Sequence, residues 1–219
     1  MSRFQTGQSM SGKSISRVVS TIVYLTVLTF VIPIAQWVSS KFIPRAEYGG
    51  ITSSIVIILC VGLLLWKTKR TLFLSLSSRW KLFCYLAVAA ILILLTINIL
   101  NRPVARITGQ PRSSFEVLDV IILLPIAEEL IFRGAIWSRI QNWGFGQIAI
   151  LAGTSLLFGI EHLGYWAQTS WSLPPGAYFH AFSMIFAGAF FGFFRLKSGS
   201  LTIPTALHML ANGAILLTQ

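Results

Sequence analysis

Between Leu118 and Trp137 the chain runs through apolar residues with one dense interruption. The stretch Pro125-Ile-Ala-Glu-Glu-Leu-Ile-Phe-Arg-Gly134 sets two adjacent carboxylates, Glu128 and Glu129, and one guanidinium, Arg133, where hydrocarbon is expected. Ionisable groups at membrane depth are costly, so they face a protein interior or a water-filled cavity and mark function. Glu129 and Arg133 are four residues apart and share a helix face. Any fold this sequence adopts must bring other polar groups to meet the Glu-Glu pair.

The apolar runs themselves point to a membrane protein. The chain is 55% hydrophobic and 11% charged, with mean hydropathy +0.76, whereas a soluble domain carries about 25% charged residues. The pattern predicts an all-α, polytopic helix bundle of about seven transmembrane helices. They run from Arg17 to Val38 with a kink at Pro33, Ile51 to Trp66, Leu82 to Leu100, Phe115 onward, Gln147 to His162, Phe179 to Phe194, and Leu201 to Leu217. Residues 1–114 hold a polar tail and three generic helices; residues 115–219 hold the chemistry. The third of these helices, the loop before Phe115 and the loop from Leu163 to Tyr178 are part of this expectation. Tyr165, Trp166 and Trp171 in that last loop read as a membrane-interface belt.

A net charge of +11 suggests nucleic acid in a soluble chain. Here the basic residues cluster between apolar runs, as in Lys67, Lys69, Arg70, Arg79 and Lys81. That is a topology signal and a contact to anionic lipid headgroups, and it favours the N-terminus inside. The lipid bilayer is therefore an expected partner and nucleic acid is not. The first apolar run is read as an uncleaved helix with no cleavage site after it. Cys60 and Cys84 read as small packing residues.

All three histidines lie in the C-terminal half. His162 closes Phe158-Gly-Ile-Glu-His162; His208 sits four residues before Asn212, on the same helix face. At 1.5 Å rise per residue, Glu128 is about 15 Å from Leu118 and His208 about 10 Å from Leu201, both mid-bilayer. His162 comes out nearer one surface. A carboxylate and two imidazoles in a wet pocket can deprotonate water and stabilise an oxyanion, or can hold a zinc ion that activates the water. Both give peptide hydrolysis. Glu161, adjacent to His162, projects about 100° away on an ideal helix and falls outside the expected site. His180, at a helix start, reads as interfacial.

Glu128-Glu129-xxx-Arg133, Phe158-xxx-His162 and His208-xxx-Asn212, in order and each on its own apolar helix, resemble the motifs of the CAAX prenyl protease and bacteriocin-processing family, also called the Abi or CPBP family. The approach Gly199-Ser-Leu-Thr-Ile-Pro-Thr-Ala-Leu-His208 is also similar. The resemblance covers about Phe115 to Thr218 and implies an intramembrane endopeptidase. It implies Glu128 as the base, His162 and His208 as catalytic, Asn212 as an oxyanion donor, and Glu129 with Arg133 as support. If a metal such as zinc is present, His162, His208 and Glu128 are its expected ligands; a metal-free glutamate mechanism is equally consistent. The soluble zinc-protease signature H-E-x-x-H is absent.

The expected substrate is a membrane-associated or lipidated peptide or protein, and the small chain suggests a prokaryotic plasma (inner) membrane. Two other classes fit less well. A non-catalytic bacteriocin self-immunity or scaffold protein would keep the fold without the chemistry. A small proton-coupled transporter would use the carboxylates as a relay, but the inverted repeats typical of transporters are not evident.

Overall fold

The computed structural model describes residues 12–43, 46–67, 114–169 and 173–217. Among them every element is helical: α1 (Gly12–Phe42), α2 (Ala46–Lys67), α3 (114–142), α4 (Gln147–Thr169), α5 (Pro175–Ser198) and α6 (Thr202–Leu217). The helix expected over Leu82 to Leu100 and the side chains of Tyr165, Trp166 and Trp171 lie outside the described residues.

The breakers sit where helix chemistry allows them. Gly144 takes φ 82 in the turn from α3 to α4, a conformation open to glycine. At the end of α5, Gly199 takes φ 68 and donates to the Arg195 carbonyl at 3.0 Å, a left-handed helix cap. Thr202 N–H then donates to Ser200 Oγ at 3.1 Å, which caps α6. Pro175 and Pro204 fall in first turns, where a missing N–H is tolerated.

Three spans are long and apolar enough to cross a bilayer: Val19–Ser39, Gln147–Gly164 and Pro175–Ser198. The stretch Gly50–Leu65 is apolar and shorter. The chain is thus an integral membrane protein; seven crossings are not counted among the described residues. The outer faces are apolar. Val19, Ile22, Val27, Leu59, Leu63, Phe182 and Phe186 are all exposed, as helices packed in lipid require. Cys60 is exposed among the described residues, on this outer side of α2, and Cys84 lies outside them.

The centre is α3. Every residue from 127 to 138 is buried, and α1, α2, α4 and α6 all pack on it. A helix buried all round must be compatible with neighbours on every side, and the bare Gly134 allows this. A Cβ there would come within 2.8 Å of Leu65 Cδ1. Among the described residues α4 and α5 pack most extensively on each other, and small residues let them approach. A Cβ on Gly188 would lie 3.0 Å from the Ser155 Cα, and one on Gly159 would lie 2.7 Å from the Ala181 carbonyl oxygen.

α3 is not a regular helix. Two π-helical stretches, Asp119–Leu123 and Leu130–Ile136, alternate with α-helical turns. In the first, Leu124 N–H bonds the Asp119 carbonyl, five residues back. The same register would pair the Val120 carbonyl with residue 125, and residue 125 is proline, with no N–H. Asn212 Nδ2 of α6 supplies the missing donor, at 2.9 Å from the Val120 oxygen. A proline and a distant asparagine thus complete one π turn together.

Glycine substitutions test the close approach of α4 to α5. Gly159→Ala must push against the Ala181 backbone, whereas Gly192→Ala meets the movable end of Leu151. Thermal unfolding in detergent is expected to show Gly159→Ala destabilised by about 1–3 kcal/mol and Gly192→Ala by clearly less. Gly62→Ala, with nothing within 4 Å, serves as the neutral control.

Candidate active site

The core of the site is a buried ion pair. Arg133 Nη1 donates to Glu129 Oε1 at 3.0 Å, and both side chains have 0% exposure. Arg133 Nη2 donates to the Gly188 carbonyl of α5 at 2.9 Å. Its guanidinium lies over the Phe158 ring at 4.6 Å and over Phe191 at 5.6 Å. Arginine suits such a place because a planar, delocalised cation stacks on aromatics and forks to several acceptors. The glycine that lets α5 approach also offers the carbonyl that receives Arg133.

His208, from α6, reaches both glutamates. Its Nδ1 lies 3.0 Å from Glu129 Oε1 and its Nε2 lies 3.3 Å from Glu128 Oε2. Adjacent residues diverge by about 100° around a helix, yet the two nitrogens of one imidazole span that divergence. The ring is held flat against Phe191, centroids 4.5 Å apart at 20°. A neutral imidazole has one N–H. Glu129 Oε1 already accepts from Arg133 Nη1, so that hydrogen belongs on Nδ1, which faces the same oxygen. The Nε2···Oε2 contact then needs a further proton, shared between His208 and Glu128. Glu128 thus meets the second nitrogen of His208, while Glu129 is held by Arg133.

His162 arrives from α4. The expectation that it ends its helix near one surface is corrected: α4 runs on to Thr169. His162 sits well inside the helix and meets Glu128 at site depth. A ligand atom from each of Glu128, Glu161 and His162 lies within 4.8 Å of the other two. Glu161, left outside the expected site, thus belongs to it; it is buried and its Oε2 lies 3.0 Å from His162 Nδ1. An ideal helix separates the two Cβ directions, but a glutamate side chain is long enough to fold back. The signal was present in the sequence: a carboxylate in an apolar helix is anomalous wherever it occurs.

His180 is also corrected. It is buried on α5, with its ring 5.3 Å from that of His162 and edge-on to it, so it lines the site. Phe191, one of a run of phenylalanines with no evident sequence signal, supports both His208 and Arg133. Asn212 shares the His208 face, but its amide nitrogen donates to Val120 and not to the carboxylates.

The donor set can be weighed for a metal. Two carboxylates and an imidazole converging within 4.8 Å are the ligand types that a divalent cation such as zinc takes. The residues that would hold it are Glu128, Glu161 and His162. The group shares Glu128 and His162 with the set expected from the sequence; Glu161 is added to it, and both nitrogens of the expected His208 face carboxylates.

Residues 110–214 match the family model described as Type II CAAX prenyl endopeptidase Rce1-like. The match covers α3, α4, α5 and nearly all of α6, and with them the whole cluster from Glu128 to Asn212. It is the family whose motifs the sequence resembles. No curated protein and no solved structure matches the chain.

Removing the guanidinium leaves Glu129 buried without its counter-charge, which costs about 3–5 kcal/mol. Arg133→Met is therefore expected to lose most of its thermal stability in detergent, and Arg133→Met with Glu129→Gln to recover part of it. The π turn is tested separately. Pro125→Ala restores an N–H to the Val120 carbonyl. Asn212→Ala is then expected to cost about 1 kcal/mol in the wild-type background and less in Pro125→Ala, measured as a double-mutant cycle.

Proposed function

We propose that the protein is an intramembrane endopeptidase that hydrolyses a peptide bond in a membrane-associated or lipidated polypeptide. The observation that carries this reading is the position of Glu128. It is a buried carboxylate 3.3 Å from His208 Nε2 and within reach of His162 and Glu161. The family match over residues 110–214 agrees with protease chemistry.

In this reading Glu128 removes a proton from water, and the water oxygen attacks the scissile carbonyl carbon. His208, steadied by Glu129 and Phe191, holds the shared proton on Nε2 and donates that N–H to the developing oxyanion, which leaves Glu128 ionised as the base. Asn212 assists with the second N–H of its amide, since the first is held by Val120. The abstracted proton passes to the leaving nitrogen as the C–N bond breaks. Arg133 holds Glu129 through its hydrogen bond and so keeps the His208 ring in place. The substrate is a prenylated C-terminal peptide or a bacteriocin-type or signalling peptide, cleaved in a prokaryotic plasma membrane.

A metal-assisted variant has one observation in its favour, the Glu128–Glu161–His162 donor set. A bound zinc would polarise the water and ease its deprotonation. Equilibrium dialysis of the detergent-solubilised chain against zinc, with chelator-stripped protein assayed in parallel, decides between the variants. Stripped protein that keeps full activity rules the metal out.

The test of the main reading uses the purified chain with a library of membrane-tethered peptides. Glu128→Gln and His208→Ala are each expected to lower the cleavage rate by about 10²–10⁴-fold while the thermal unfolding midpoint is retained. Cleavage that survives both substitutions refutes the assignment. A chain that cleaves nothing but moves protons across liposomes supports a transporter.

A further inference from the structure

The second π stretch of α3, Leu130–Ile136, contains a carbonyl that the helix itself passes over. Trp137 N–H bonds the Phe132 and Gly134 carbonyls, five and three residues back. Between them lies the Arg133 carbonyl, which an α-helical Trp137 N–H would take. Arg195 Nε, from the last turn of α5, donates to that oxygen at 3.3 Å. The pattern repeats that of the first π stretch, where Asn212 Nδ2 donates to the Val120 carbonyl. In the other direction, Arg133 Nη2 donates to the Gly188 carbonyl of α5 at 2.9 Å. Gly188 and Arg195 are two turns apart on α5, about 10 Å at the helical rise. α5 therefore grips Arg133 at both ends, by its backbone oxygen and by its guanidinium.

The consequence follows from what Arg133 holds. Its Nη1 donates to Glu129 Oε1 at 3.0 Å, and His208 Nδ1 faces the same oxygen at 3.0 Å. Were the Arg133 carbonyl to return to Trp137 N–H, the π turn would close to an α turn. The register of α3 around Arg133 would change, and the guanidinium would leave the line from Gly188 to Glu129.

We infer that Arg195 is a positioning residue of the active site: its Nε–H holds the π-helical register of Leu130–Ile136 and so aims Arg133 at Glu129 and, through Glu129, the imidazole of His208. This deepens the peptidase reading and rests on it. The plainer role for Arg195 is that of a cation in the last turn of α5, where it complements the helix dipole and the membrane surface. That role requires charge. The positioning role requires an N–H at the place of Nε.

Three substitutions separate the two roles. Glutamine carries an amide nitrogen where arginine has Nε, without the charge; methionine puts a methyl group there; lysine keeps the charge but has a methylene there. The full chain in detergent is assayed on a membrane-tethered peptide that the wild type cleaves. Arg195→Met and Arg195→Lys are each expected to lower kcat about 10–10²-fold with KM changed by less than about threefold, and Arg195→Gln to keep kcat within about threefold of wild type. Amide hydrogen exchange needs no substrate. Across residues 130–137 it is expected to be faster in Arg195→Met and Arg195→Lys than in wild type and Arg195→Gln. Thermal unfolding confirms that each variant is folded.

Wild-type kcat in Arg195→Lys overturns the proposal, because charge alone would then suffice. So does Arg195→Gln as slow as Arg195→Met, or unchanged exchange across residues 130–137 in folded Arg195→Met. If Arg195→Met does not fold, the comparison of Arg195→Lys with Arg195→Gln decides. A wild type that cleaves no peptide defeats the peptidase reading and the catalytic part of the proposal with it; the exchange comparison then decides whether Arg195 holds the register.

Discussion

The pairing of Arg133 with Glu129 governs the interior of this protein. Both side chains are withdrawn completely from the surroundings, and a charge in that position is tolerable only with its partner and further hydrogen bonds. The further bonds come from other helices. Gly188 of α5 offers its carbonyl to the guanidinium, and His208 of α6 offers Nδ1 to the carboxylate. The aromatic faces of Phe158 and Phe191 close the remaining sides. One ion pair thus ties α3, α4, α5 and α6 together at the level of the site. The electrostatic cost of burying charge becomes a constraint on how those helices pack.

From that anchor the reactive groups inherit their positions. Glu129 is immobilised and orients His208, and His208 then presents its second nitrogen to Glu128. The two adjacent glutamates differ because only one of them meets the guanidinium. Glu128 faces imidazoles from two helices and another carboxylate, which suits a group that gains and loses protons. The π-helical stretches of α3 flank the short α-helical turn carrying both glutamates. Such stretches are rare and concentrate at functional sites. Here one of them leaves a carbonyl that Asn212 fills, so the last motif helps to shape the first.

Much of the site was legible because membrane interiors make polar residues conspicuous. Glu128, Glu129, Arg133, His162 and His208 each interrupt an apolar run, and all five converge. The same logic covers Glu161, whose long side chain folds back to His162 although an ideal helix separates their Cβ directions. A helix start at Phe179 makes His180 read as interfacial; α5 starts at Pro175 and buries His180 within it. Phe191 could not be singled out, since four phenylalanines within five residues look alike until a packing partner selects one. The π turns leave no periodicity that a short apolar stretch can reveal.

The sequence by itself determined the class of fold, the helix that carries the buried charges, and the ion pair that separates Glu129 from Glu128, since spacing alone puts Arg133 on the face of Glu129. Hydropathy and helical periodicity are local properties, and they survive in a one-dimensional string. Only the tertiary structure decided which histidine nitrogen meets which carboxylate, that α4 carries His162 and Glu161 to the depth of Glu128, and that Asn212 completes the turn broken by Pro125. Those outcomes depend on rotation and depth of one helix against another. They are set by glycine contacts and by the need to satisfy a buried guanidinium, and both are interactions between residues far apart in the chain.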